Sequence, residues 1–88
     1  VRETVSGVMR RRGLVRAGIF GSVARGEAGE GSDVDFLVEF EKGRSLVDLA
    51  GLRLDLRDLL ERDVDVATLN SLHPKVRGRI LAELVPLL

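Results

Sequence analysis

Residues 18–40 read GIFGSVARGEAGEGSDVDFLVEF, two apolar runs separated by a polar, glycine-rich interval. The first run is closed by Gly21-Ser22 and bounded upstream by Gly13, so Leu14 to Phe20 is expected to be a strand. Val23, Ala24 and Arg25 suit one helical turn before Gly26, which would place Ser22 at a helix N-terminus. Residues 26–32 (GEAGEGS) have the composition of a loop. Asp33 to Phe40 then alternates, with Asp33, Asp35 and Leu37 on one side and Val34, Phe36, Val38 and Phe40 on the other. Side chains of a strand alternate faces, so the two carboxylates point the same way.

Upstream, Val1, Val5, Val8 and Met9 recur at helical spacing and predict an amphipathic helix over residues 1–12, with Gly13 as its C-terminal cap. The run Arg10-Arg11-Arg12 is read as a solvated helix end favourable to the dipole rather than as a nucleic-acid patch. Downstream, Lys42-Gly43 forms a turn, and Ser45 with Asp48 resembles a capping pair. Leu46, Leu49, Leu52, Leu56, Leu59 and Leu60 mark the main helix, whose broad apolar face suits core packing better than a zipper. Arg62 to Thr68 alternates again, with Val64 and Val66 on one face and Asp63, Asp65 and Ala67 on the other. Pro74 opens a last helix in which Val76, Ile80, Leu81 and Leu84 form one face. His73, the only histidine, has no Cys, His or Glu at ligand spacing and is read as a structural or solvated loop residue. The order helix, strand, strand, helix, strand, helix predicts an α/β (α+β) fold: a small mixed β-sheet covered by helices on one face, residues 1–88 forming a single domain.

Composition narrows the function. A chain of 88 residues supports one thin core. The absence of cysteine excludes disulfides and thiolate metal sites. Fourteen basic and fourteen acidic residues balance, so no overall field draws in a polyanion. The three aromatics, Phe20, Phe36 and Phe40, lie inside strand-like runs, leaving nucleic acid poorly served by stacking. No apolar run reaches the roughly 20 residues that span a bilayer, and the default expectation is a soluble cytoplasmic protein. Arg supplies twelve of the fourteen bases and Gln is absent, a usage compatible with a thermophile or a GC-rich genome.

Asp33, Asp35 and Asp65 fall on one face of two strands that the intervening helix can bring side by side. Like charges in such a cluster are unfavourable unless a cation joins them. Mg2+ suits the need, because hard cations take carboxylate oxygens and leave positions for substrate phosphates. The Gly21-Ser22 turn supplies the complementary half: a small residue admits phosphate to the backbone, the following N–H groups donate, and the Ser22 hydroxyl adds a donor. Arg25 is placed to meet phosphate charge, or to pair with an aspartate when substrate is absent. Together these residues describe a nucleoside triphosphate held by its tail on metal ions bound by Asp33, Asp35 and Asp65. Asp65 would serve the attacking side as metal ligand and proton acceptor, with positioning and charge neutralisation supplying most of the acceleration.

Gly21-Ser22, the ten residues to Asp33, Asp33-Val34-Asp35 and the later Val64-Asp65-Val66 resemble the nucleotidyltransferase-fold superfamily that includes DNA polymerase beta. The short length, the ARGE run at Ala24 to Glu27 and Ser32 before the first aspartate resemble more closely the minimal nucleotidyltransferases (MNT), commonly paired with HEPN-domain proteins as antitoxins. The similarity covers about Leu14 to the C-terminus. It implies Mg2+-dependent transfer of a nucleoside monophosphate, AMP from ATP, to a hydroxyl, and adds Ser32 to the nucleotide-binding set of Gly21, Ser22 and Arg25. In the family the acceptor can be a tyrosine of a HEPN toxin. One position departs: Val23 stands where an Arg often follows Gly-Ser, which removes a phosphate contact. Past the expected metal site, two helices use up the chain, so the acceptor is expected on a partner protein, in a homo- or hetero-oligomer. The alternative is an antitoxin that neutralises its partner by contact alone. Transfer to a small molecule or RNA ranks lower, for want of an acceptor-binding domain or basic groove.

Overall fold

The computed structural model describes residues 4–27, 29, 31 and 33–88. Its elements are α1 (Val5–Arg11), β1 (Leu14–Phe20), α2 (Gly21–Ala24), β2 (Val34–Phe40), α3 (Leu46–Leu60), β3 (Val64–Thr68), a 3-10 turn (Leu69–Ser71), α4 (Pro74–Glu83) and β4 (Val85–Pro86). The sheet order is β3-β2-β1-β4. β1 runs antiparallel to β2 and β4, whereas β2 and β3 are parallel and joined through α3, the long crossover that parallel neighbours require. The sheet is thus mixed, as the alternating runs predict.

Local chemistry sets the ends of these elements. The first helix begins at Val5 rather than near Val1, because Thr4 caps it by accepting from the Gly7 N–H at 3.0 Å. Residues 1–3, which the sequence reading included in this helix, lie outside the described residues. Gly13, with φ +84°, follows the helix end in the left-handed conformation expected of it. At α3 both halves of the capping box form: Ser45 Oγ accepts from Val47 N, and Asp48 accepts from Ser45 N. His73 caps α4, its Nδ1 accepting from Lys75 N at 3.1 Å, which is the structural role expected for it.

One face of the sheet carries the core. Val34, Phe36 and Val38 of β2, Leu14 and Ala17 of β1 and Val64 of β3 pack against Val8 and Met9 of α1 and Leu52 and Leu56 of α3. Leu46 does not join them, although the sequence reading counted it on the apolar face. At 100° per residue it lies about 100° from the middle of the Leu52/Leu56 stripe, and it is 81% exposed. Leu81 likewise turns outward on α4, where Ile80 takes the buried position. On the opposite face, Gly18 stands across from Leu37, and a Cβ at Gly18 would lie 2.7 Å from Leu84 Cγ, so this glycine makes room for the end of α4.

Arg10 is exposed as expected, but the next two arginines are tied to α3. Arg12 Nε reaches Asp55 Oδ2 of α3 at 2.7 Å and Arg11 reaches the same oxygen at 3.2 Å, fastening α1 to α3. The hydrogen bond from Arg12 is the main reason that the Asp55 carboxyl is held below its usual range. A depressed carboxyl stabilises the fold above its unfolded pKa and loses that contribution as pH falls through the folded one. Asp55→Asn is therefore expected to lower stability by about 1 kcal/mol at pH 7, the pair being partly screened by solvent. Urea denaturation at pH 7 and pH 3 measures it, the difference from wild type shrinking at the lower pH.

No helix among the described residues is long and apolar enough to cross a membrane.

Candidate active site

The register of the sheet builds the site. Asp35 of β2 is the Cα partner of Asp65 on the parallel strand β3, so the two carboxylates leave neighbouring strands, about 4.8 Å apart, on one face. Asp33 precedes β2 by one residue and keeps the same side by alternation; the entry is held where Val34 N donates to Asp63 O at 3.0 Å. On its other flank Asp35 is the partner of Phe20, the last residue of β1. Strand pairing alone thus sets the end of β1, Asp35 and Asp65 in one row.

The turn out of β1 closes over this row. Gly21 has φ +78°, a conformation that side chains with a Cβ rarely adopt, and a Cβ there would run into Asp35 Oδ2. The glycine expected to admit phosphate therefore also admits the Asp35 carboxylate to the turn. α2 begins at Gly21, two residues before the expected Val23, and Ser22 lies in its first turn, its carbonyl accepting from Glu27 N at 2.9 Å. Val23 is half-buried against the core and anchors the turn, which gives the apolar residue at this departing position a use. Ser32 lies outside the described residues.

Arg25 caps α2, but its partners are not aspartates. Nε donates to Glu27 at 3.1 Å and Nη1 to Glu83 of α4 at 2.8 Å, and these bonds raise its pKa further, Glu83 first. Glu83 escaped the sequence reading because its partner lies 58 positions earlier and nothing local marks it. Arg25 still favours the ionised form of Asp35 through space. It is outweighed: burial first, then the charges of Asp65 and Asp33, push the Asp35 carboxyl above its usual range.

That shift tests the expected cation. Three hard oxygen donors crowd one face with a single opposing guanidinium, the electrostatic condition that a divalent ion relieves. Among the described residues no three carboxylate or imidazole groups close into a cage for a metal by themselves. A cation held by Asp35 and its neighbours would therefore have to complete its shell with water or substrate phosphates, the habit of Mg2+. A separate apolar hollow, lined by Leu37, Leu69, Leu81, Leu84 and Pro86 among others, shares none of its lining with these aspartates or the turn.

Comparison with known proteins assigns the class. The profile of the nucleotidyltransferase domain family matches residues 1–87, and the chain belongs to that family. It is a nucleotidyltransferase. A Methanocaldococcus jannaschii protein provisionally named a protein adenylyltransferase is 46% identical over 88 residues, covering all of this chain and 95% of its own length. The protein adenylyltransferase MntA of Thermococcus cleftensis is 43% identical over 75 residues, 85% of this chain and 76% of the relative. A solved structure provisionally described as a minimal nucleotidyltransferase superposes with a TM-score of 0.86 at 49% identity, covering 94% of this chain and 85% of that one. A toxin-antitoxin crystal structure with AMP-PNP shares the fold, with a TM-score of 0.78 at 21% identity, over 93% of this chain and 68% of that one.

Proposed function

We propose that this protein transfers AMP from ATP, with Mg2+, to a hydroxyl group of a partner protein, and that the partner is a HEPN-type toxin which the modification silences. The observation that carries the reading is the pairing of Asp35 with Asp65 beside the glycine turn at Gly21. It joins a carboxylate row to a backbone turn able to receive phosphate, the two halves that a metal-bound triphosphate needs. The adenylyl donor and the protein acceptor are supported by the names of the relatives more than 40% identical to this chain. The toxin partner is supported by the resemblance of the ARGE run and the spacing around Asp33 to minimal nucleotidyltransferases.

In this reading Gly21 and Ser22 hold the triphosphate through backbone N–H groups and the serine hydroxyl; Ser32 joins them by family resemblance alone. Arg25 exchanges its glutamates for phosphate oxygens. Asp33, Asp35 and Asp65 would hold Mg2+, which would neutralise phosphate charge and make the acceptor hydroxyl easier to deprotonate. Asp65 takes the proton of the acceptor hydroxyl. The hydroxyl oxygen bonds to the α-phosphorus, the bond to the bridging oxygen of the β-phosphate breaks, and pyrophosphate leaves.

The test uses ATP labelled at the α-phosphate, Mg2+ and the protein encoded by the adjacent gene. Label should move to that protein and should fail to move with Asp33→Asn. A partner that is neutralised equally well by Asp33→Asn without label would instead show inhibition by contact.

A further inference from the structure

Arg25 stands between two sets of carboxylates. Its backbone N–H donates to Gly21 O at 3.1 Å, so it lies one helical turn beyond the glycine that abuts Asp35, and its charge acts on Asp35 through space. A row of three aspartates attracts a guanidinium strongly, since each added negative charge deepens the attraction. The side chain nevertheless turns the other way. Nη1 donates to Glu83 at 2.8 Å and Nε to Glu27 at 3.1 Å, and among the described residues no hydrogen bond or ion pair joins it to Asp33, Asp35 or Asp65.

The two glutamates are unequal. Glu27 lies two positions along the chain and its side chain is 63% exposed, so its pairing is screened by water. Glu83 is 20% exposed and closes α4, and the residues that follow fix its place. Leu84 fills the space that Gly18 leaves, and Val85 pairs with Ile19 on the strand that runs into the Gly21 turn. The hydrogen bond from Glu83 is accordingly the first of the influences on the Arg25 guanidinium. The end of α4 thus delivers a well-anchored carboxylate to the arginine that flanks the aspartate row.

We infer that Glu83 is a positioning residue: by holding Arg25 it keeps the guanidinium off Asp33, Asp35 and Asp65 and leaves that row free for a divalent cation. The inference rests on the metal reading of the row. A guanidinium released from Glu83 turns to the aspartates, supplies there the positive charge that the metal would supply, and must be displaced before the ion can bind. Held at Glu83, it stays instead within a turn of Gly21, on the side where the proposed site receives phosphate.

Mn2+ alone, titrated into the full chain without nucleotide and followed by the electron paramagnetic resonance of the free ion, tests this. Glu83→Ala should weaken Mn2+ binding on the order of fivefold, the effect of one partly exposed ion pair that the metal must break. An unchanged circular dichroism spectrum should show that the fold survives. Glu83→Ala combined with Arg25→Ala should bind Mn2+ at least as tightly as wild type, because no guanidinium is left to compete. A merely structural role for Glu83 cannot give this rescue. The crystal structure of metal-free Glu83→Ala should show the Arg25 guanidinium against Asp35. Mn2+ affinity unchanged by Glu83→Ala, a double variant as weak as the single one, or an Arg25 that stays on Glu27 would overturn the inference and leave the metal site standing. A wild-type chain that takes up no Mn2+ would overturn the metal site and this inference with it, so the two failures are told apart.

Discussion

Asp35→Asn is expected to reduce nucleotide transfer by about 1,000-fold or more while raising the Tm of the metal-free protein at pH 7. The loss follows from removing the central carboxylate of the row: it abuts Gly21 on one side and pairs with Asp65 on the other, so no neighbour can take its place. The gain follows from the raised pKa. Burial and the charges of Asp65 and Asp33 make the folded state hold the Asp35 proton more tightly than the unfolded chain does. Stability therefore falls as pH rises from the unfolded value of about 3.9 through the folded pKa. An uncharged Asn escapes that fall. Calorimetry of both proteins without metal at pH 3 and pH 7 should show little difference at the lower pH and a Tm advantage for the variant at the higher. For a domain of this size each 1 kcal/mol is worth about 4–8 °C. Added Mg2+ with ATP should raise the Tm of wild type far more than that of the variant.

Gly21→Val carries the second large effect. At φ +78° a β-branched residue costs roughly 1–2 kcal/mol in backbone strain alone, and its Cβ must displace the Asp35 carboxylate. The turn and the carboxylate row are thereby disturbed at once. Transfer should fall at least about 100-fold with a Tm loss near 4–8 °C per kcal/mol of strain. Gly26→Ala is the control, since its φ is also positive but nothing lies within 4 Å of an added Cβ. It should share the modest destabilisation and keep most of the transfer activity, because only the Gly21 substitution reaches Asp35.

These effects depend on features unequally visible in the sequence. β1 and β2 were legible because glycines bound one and strict alternation marks the other, and the same period of two put Asp65 in phase with Asp35. Their direct pairing was not legible, since register between separated strands depends on how α3 packs. β4 has two residues, too few for any periodicity, and exists because Gly18 and Ile19 offer Pro86 and Val85 a free edge. Leucine spacing alone puts Leu46 on the apolar face, whereas its angular phase on α3 turns it outward. For Arg25 the sequence shows candidate charges but not which of them α4 brings within 3 Å; that residue is Glu83.

The central claim is that the turn at Gly21-Ser22 and the row of Asp33, Asp35 and Asp65 form one metal-nucleotide site. Diffraction from crystals grown with a non-hydrolysable ATP analogue and Mn2+ in place of Mg2+ tests it most directly, because anomalous scattering locates the metal independently of the nucleotide. Manganese peaks should lie against Asp35 and Asp65, with the terminal phosphates at the N–H groups that follow Gly21. Nucleotide seated in the apolar hollow beneath Leu84, or manganese bound away from Asp35, would contradict the account.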